Sequence, residues 1–198
     1  MEDPGDIAAA GIAGNYAGRS VFHLDTGMAQ DSDVNQIDAE WADLSTIPLF
    51  IASGAMRIED IETAAMLQKA RHGLDFIIID HIQFITPYKM QGVDRNGTVA
   101  TYSQRIVALL TKHAVPGLIL SQLSRDSEKE NRKPRLSDLR DSGCIEQDAR
   151  QVMLLYWDSR DDMHRVEIAK NNFGVSDKRF IVKRLDGKQR FDLIREEI

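Results

Sequence analysis

Two short apolar runs, each ending in polar residues, carry the chemistry this chain can offer. Phe76-Ile77-Ile78-Ile79 leads to Asp80, and Leu118-Ile119-Leu120-Ser121 leads to Gln122. Continuous β-branched or apolar runs are the pattern of a buried central strand, which delivers the residue after it to the edge of the sheet. A carboxylate there suits a hydrated magnesium ion beside nucleotide phosphates, and an amide suits a sensor of a terminal phosphate or of water. The same residues also fit two core strands that end in ordinary turns, because such strand ends recur throughout α/β proteins.

Holding these residues in place requires a sheet with helices packed on it. Ile7 to Tyr16 is alanine-rich and reads as a helix after Pro4-Gly5, weakened by Gly11 and Gly14. Val34, Ile37, Trp41 and Leu44 recur at helical spacing within Asp33 to Leu44, which predicts a face that packs inward. Pro48 introduces a short strand, Leu49 to Ala52, and a helix from Ile58 to Arg71 stops at Gly73. After Asp80 come a polar loop over 86–98, a helix from Tyr102 to His113 and a strand from Gly117 to Ser121. Leu123 to Arg135 is a charged loop of the kind usually found solvated. Gln151 to Tyr156, Arg165 to Lys170, Arg179 to Lys183 and Arg190 to Leu193 read as strands, the last three antiparallel, with Asp186-Gly187 as a hairpin signal. The order passes from helix–strand units to a meander, which predicts one α/β domain with an antiparallel extension.

Composition permits this and narrows the partners. The 198 residues suffice for one domain with a sizeable core, and 42% hydrophobic with 28% charged residues is ordinary for a folded protein. A net charge of −6 gives no global electrostatic case for nucleic acid, so any such binding needs a local cationic loop. The single cysteine, Cys144, excludes an intrachain disulfide and a cysteine-rich zinc site, and points to a reducing, cytoplasmic home. No apolar stretch approaches the roughly 20 residues that span a membrane. The opening Met-Glu-Asp-Pro-Gly-Asp lacks the basic and apolar regions of a secretion signal.

Ser137-Asp138-Leu139-Arg140-Asp141-Ser142-Gly143-Cys144-Ile145-Glu146-Gln147-Asp148-Ala149 closely resembles a segment of the bacterial replicative helicase DnaB family. Phe76 to Gln83 is similar to that family's Walker B strand, and Leu120-Ser121-Gln122-Leu123-Ser124-Arg125 to its glutamine-bearing sensor strand. The resemblance covers nearly the whole chain. It implies that residues 1–198 form a partial RecA-like helicase motor domain, with a P-loop NTPase core, a mainly parallel central sheet and an antiparallel C-terminal extension. No Gly-rich loop ending in Gly-Lys-Ser or Gly-Lys-Thr occurs in the sequence, so the phosphate loop is absent from it.

The resemblance assigns roles residue by residue. Glu2 matches the glutamate that polarises attacking water, or is a terminal carboxylate without a role. Asp80 matches the acid that binds Mg2+ through metal-bound water, and Gln122 the γ-phosphate sensor; the plainer readings are a strand-end cap and a buried amide. His81 stands where the family commonly has an aromatic residue, which a neutral imidazole can replace. Arg140 and Gly143 match the single-stranded-DNA loop, with Asp141 orienting it, although Asp138, Ser142 and Gly143 also read as a cap and turn. Lys170 matches a cation that reaches a neighbouring subunit's phosphates, or is an ordinary strand lysine. Asn172 falls where an arginine finger is expected, and an amide supplies neither full charge nor a guanidinium fork.

The implied function is ATP- and Mg2+-dependent translocation on single-stranded DNA by like subunits in a hexameric ring, with primase and a helicase loader as family partners and no membrane. The alternative is a catalytically inactive DNA-binding or assembly module, phage-derived or decayed. A RecA-fold signalling or recombination ATPase is a third reading. The isolated chain is expected to be inactive as an ATPase and at most weakly associating.

Overall fold

The computed structural model describes residues 5–19, 23, 26–86, 95–124, 126–130, 132–139, 143–184 and 191–197. Its helices are α1 (Gly5–Tyr16), α2 (Asp31–Leu44), α3 (Ile58–His72), α4 (Arg95–His113), α5 (Asp126–Lys129) and α6 (Gly143–Asp148). Its strands are β1 (Ile77–Ile79), β2 (Gly117–Ile119), β3 (Gln151–Asp158), β4 (Met163–Asn171), β5 (Lys178–Arg184) and β6 (Phe191–Glu197). The expected α/β order is present, and contacts divide the chain into two units, each described in turn.

The first unit contains Ala55–Tyr156 and Glu167–Lys178. α3 starts at Arg57, whose backbone N donates to the Asp60 carboxylate at 3.0 Å, and ends at Gly73, whose φ of 88° favours glycine. β1 and β2 pair in parallel, Ile77 opposite Gly117 and Ile79 opposite Ile119. A helix crossover is what a parallel pair requires, and α4 supplies it. A Cβ on Gly117 would lie 2.8 Å from Leu110 Cδ1, so any larger residue there requires Leu110 to shift. Ile58 of α3, Ile79 of β1, Ile82 and Ile85 after it, and Val99, Tyr102 and Ile106 of α4 form the core. Arg105 of α4 adds bonds to Glu62 of α3 at 2.9 and 2.7 Å and pairs with Glu59.

The continuous run in β1 predicts burial on both faces, and the structure differs. Ile79 is 8% exposed whereas Ile78 is 61% exposed, because the α3–α4 core covers one face of the pair. A smaller cluster centres on Leu139, Val152 and Leu154, with Leu123 and Leu136 packed against it.

The second unit contains the described residues from Gly5 to Gly54, Trp157–Val166 and those from Arg179 onward. The inward face expected of α2 is not formed: none of its residues is buried, and Val34 and Trp41 are exposed. Its ties to the end of α1 are polar instead, Arg19 pairing with Asp33 at 3.2 Å and Gln36 Nε2 donating to Ala17 O at 3.5 Å. Leu49 to Ala52 is not assigned as a strand, and no strand among the described residues pairs with it. Arg165 is buried among the Asp158, Asp161 and Glu197 carboxylates, and Arg160 also holds Asp158.

The meander is a four-stranded sheet in the order β3-β4-β5-β6. β5 and β6 are antiparallel, Arg179 opposite Glu197 and Arg184 opposite Phe191, as expected, while the Asp186-Gly187 turn lies outside the described residues. No helix among the described residues is long and apolar enough to cross a membrane.

Candidate functional site

The ends of β1 and β2 meet because their backbones stay paired beyond the strands. Leu120 N donates to Ile79 O at 2.9 Å and Ile82 N donates to Leu120 O at 3.0 Å. These bonds bring Asp80 and His81 beside Ser121 and Gln122. A single turn of 3-10 helix, Ile82–Phe84, then plants Ile82 in the core at 1% exposure and aims Gln83 back at the second strand end. Gln83 Nε2 donates to Ser121 Oγ at 2.8 Å, and Gln122 N donates to Gln83 Oε1 at 3.2 Å. His81 contacts the same network, its Nδ1 3.2 Å from Gln83 Oε1 and its Nε2 3.1 Å from Gln122 Nε2. Asp80 and Gln122 are both exposed. The result is a carboxylate and a primary amide at the carboxyl ends of parallel strands, where ligands of open α/β sheets bind.

Directly after Gln122, the chain is fastened to the segment that precedes Arg140. Leu123 forms an isolated antiparallel bridge with Leu139, and Ser124 N donates to Asp138 O at 2.7 Å. Asp138 is 4% exposed and accepts both terminal nitrogens of Arg132, at 2.6 and 2.9 Å, and Arg135 N at 2.7 Å. The Arg132 guanidinium holds the Asp138 carboxyl below the ordinary aspartate range, against the opposing effect of burial. On the far side, α6 is anchored twice. Ser103 Oγ donates to the Asp148 carboxylate at 2.5 Å, and Lys170 Nζ donates to Glu146 O at 2.6 Å and Gln147 O at 3.4 Å. A lysine on the last carbonyls of a helix is a favourable cap.

Of the residues singled out from the sequence, Asp80 and Gln122 are brought to one place, joined through His81 and Gln83. Glu2, Arg140 and Asp141 lie outside the described residues. Gly143 opens α6 and is exposed, and a Cβ built on it would meet nothing within 4 Å. Among the described residues, neither crowding nor a left-handed backbone requires glycine there. Lys170 donates to the carbonyl end of α6, and Asn172 N donates to Arg150 O at 2.9 Å. Sequence reading gave no role to Gln83 and treated His81 as a space-filler. Two polar residues interleaved with the apolar Ile82 and Phe84 were the available signal. Among the described residues no group of three or more His, Cys, Asp or Glu could hold a metal. A single carboxylate still suits magnesium, which keeps most of its waters and takes one or two protein oxygens beside phosphate.

The model of the DnaB-like helicase C terminal domain family matches residues 14–191. The replicative DNA helicase DnaB of Rickettsia prowazekii (strain Madrid E) is 38% identical over 135 residues, 67% of this chain and 28% of the relative. That of Geobacillus stearothermophilus is 33% identical over 152 residues, 76% of this chain and 33% of the relative. The chain therefore spans a third or less of these curated relatives. Among solved structures, a DnaB-like replicative helicase described with its interactions with primase superposes with a TM-score of 0.81 at 22% identity, over 95% of this chain and 48% of that one. A second solved structure, described as an ATPase domain, gives a TM-score of 0.81 at 22% identity, over 94% of this chain and 69% of that one. These likenesses give the RecA-like ATPase fold with parallel and antiparallel sheet, and with the family match they establish that the chain belongs to the DnaB helicase family as part of its carboxy-terminal motor domain.

Proposed function

We propose that these residues serve, in the complete protein, as part of a motor that couples ATP hydrolysis to translocation along single-stranded DNA. The supporting observation is the network of His81, Gln83, Ser121 and Gln122 at the ends of two parallel strands, with Asp80 next to it in the chain. Magnesium-ATP supplies the cleavable phosphoryl bond. Asp80 would bind metal-bound water, and Gln122 would hydrogen-bond the terminal phosphate or the water beside it. The remaining phosphate cradle has no counterpart among these 198 residues, so Asp80 and Gln122 fit one side of the nucleotide only. Glu2 is the candidate for polarising water and Lys170 for a phosphate of a neighbouring subunit. Arg140 and Gly143, with Asp141 positioning them, are the candidates for DNA phosphates. Like subunits in a ring, primase, a loader and a cytoplasmic setting follow from the same reading. The alternative, a DNA-binding or assembly module without catalysis, is favoured by Asn172 at the finger position.

The test is single-stranded DNA binding by the purified 198-residue chain across a salt titration. Weak, sequence-tolerant binding that falls with salt is expected, and Arg140→Ala should lower affinity and reduce the salt slope by about one phosphate contact. Arg19→Ala should change little, since Arg19 is paired with Asp33. Equal binding by folded Arg140→Ala would remove the DNA role, and robust Asp80-dependent ATP turnover by this chain alone would remove the account of an incomplete nucleotide site.

A further inference from the structure

The donors and acceptors between the two strand ends can be assigned starting from one unambiguous group. The backbone N of Gln122 can only donate, so the Gln83 atom 3.2 Å from it must be the amide oxygen. That orientation turns Gln83 Nε2 to the Ser121 hydroxyl at 2.8 Å, a bond the hydroxyl can accept. The same Gln83 oxygen lies 3.2 Å from His81 Nδ1, and an oxygen acceptor requires that nitrogen to carry the proton. In the neutral ring Nε2 is then the lone-pair acceptor. The group 3.1 Å from it must donate, and that group is the Gln122 amide nitrogen. Reversing the Gln122 amide would set its oxygen against a lone pair. One N–H of Gln122 is thereby used internally, and the amide presents its oxygen and second N–H in a defined orientation.

We propose that Gln83 and His81 are positioning residues for Gln122: Gln83 selects the Nδ1–H tautomer of His81, and His81 Nε2 then holds the Gln122 amide in a single orientation. This rests on the reading of Gln122 as the phosphate sensor, whose reply to a ligand depends on which end of its amide is offered. The Nδ1–H form is the minor tautomer of a free neutral histidine side chain, so its dominance at His81 is a diagnostic signature. The backbone already carries this design. Ile82 is locked in the core and bonded to Leu120, so His81 and Gln83 flank a fixed point and act as two arms of one clamp.

The experiment is long-range nitrogen-15 NMR of the histidine rings in the full 198-residue chain, at a pH well above the ordinary imidazole range, with His81→Phe to assign the signal. The parent is expected to show His81 mainly as Nδ1–H. Gln83→Leu should invert the populations toward Nε2–H, and Gln83→Glu, which keeps an acceptor, should preserve Nδ1–H. If Gln83→Leu fails to melt cooperatively, the parent and Gln83→Glu spectra decide the matter. Dominant Nε2–H in the parent, or an unchanged tautomer in folded Gln83→Leu, overturns the proposal. The sensor reading fails separately: if a magnesium-bound non-hydrolysable ATP analogue shifts the parent's amide signals over residues 120–124 and shifts those of Gln122→Ala equally, Gln122 is no sensor, while the tautomer result stands.

Discussion

Truncating Ile82 should undermine both the core of the first unit and the clamp above it. Ile82 is 1% exposed, packed among residues from α3, β1 and α4. Isoleucine to alanine removes three buried carbons worth about 0.8 kcal/mol each, and the cavity left behind adds to that, for a total of ~3 kcal/mol. In a chain of this size such a loss lowers Tm by roughly 6–12 °C. Ile82→Val, which removes one carbon, should cost about 1 kcal/mol. Ile78→Ala is the control on the neighbouring strand: its side chain is 61% exposed, so truncation should cost less than about 1 kcal/mol. Melting followed by far-ultraviolet circular dichroism reads the loss, and amide exchange in α4 localises it. Tryptophan fluorescence would report elsewhere, since Trp41 and Trp157 both lie in the second unit. An Ile82→Ala cost below about 1 kcal/mol, or an equal cost for Ile78→Ala, would refute the view that the core lies on one face of β1.

Two further outcomes follow from packing and charge. Asp158 is 7% exposed and its carboxyl is held below the ordinary aspartate value, chiefly by Arg160, with burial opposing. The unfolded chain takes up that proton first, so this stability is complete above about pH 4 and is lost as pH falls below it toward the lower folded pKa; Asp158→Asn should flatten the acid limb of a stability–pH curve, and an unchanged limb would contradict the assignment. Gly117→Ala should destabilise by about 1–3 kcal/mol through the 2.8 Å approach to Leu110, and adding Leu110→Ala should recover part of the overpacking cost in a double-mutant cycle; simple additivity would count against it.

Elements with a local cause were legible in the sequence. Ile58 to Arg71 was visible as a helix because its periodicity ends at a glycine in the left-handed region. The antiparallel strands of the C-terminal part were visible from closely spaced strand runs and the Asp186-Gly187 turn signal. What failed depended on partners. The apolar spacing of Val34, Ile37 and Trp41 gives α2 its helix, but among the described residues nothing buries that face, and Leu49 to Ala52 has strand-like residues but no described edge to pair with. At the site, Asp80 and Gln122 stood out because each ends an apolar run. Gln83 did not, since the partners of a side-chain amide are set by which strand end folds opposite it.

The join between Leu123 and Leu139 has a mechanical meaning. With Ser124 N on Asp138 O, the residues after Gln122 and those before Arg140 are fastened one position from each end, and Arg132 stiffens the second of them through Asp138. A linkage this short has little slack. A displacement of Gln122 by a bond's length cannot be absorbed in intervening loop. It bears directly on Asp138 and Leu139, the second of which sits in the hydrophobic cluster with Val152 and Leu154.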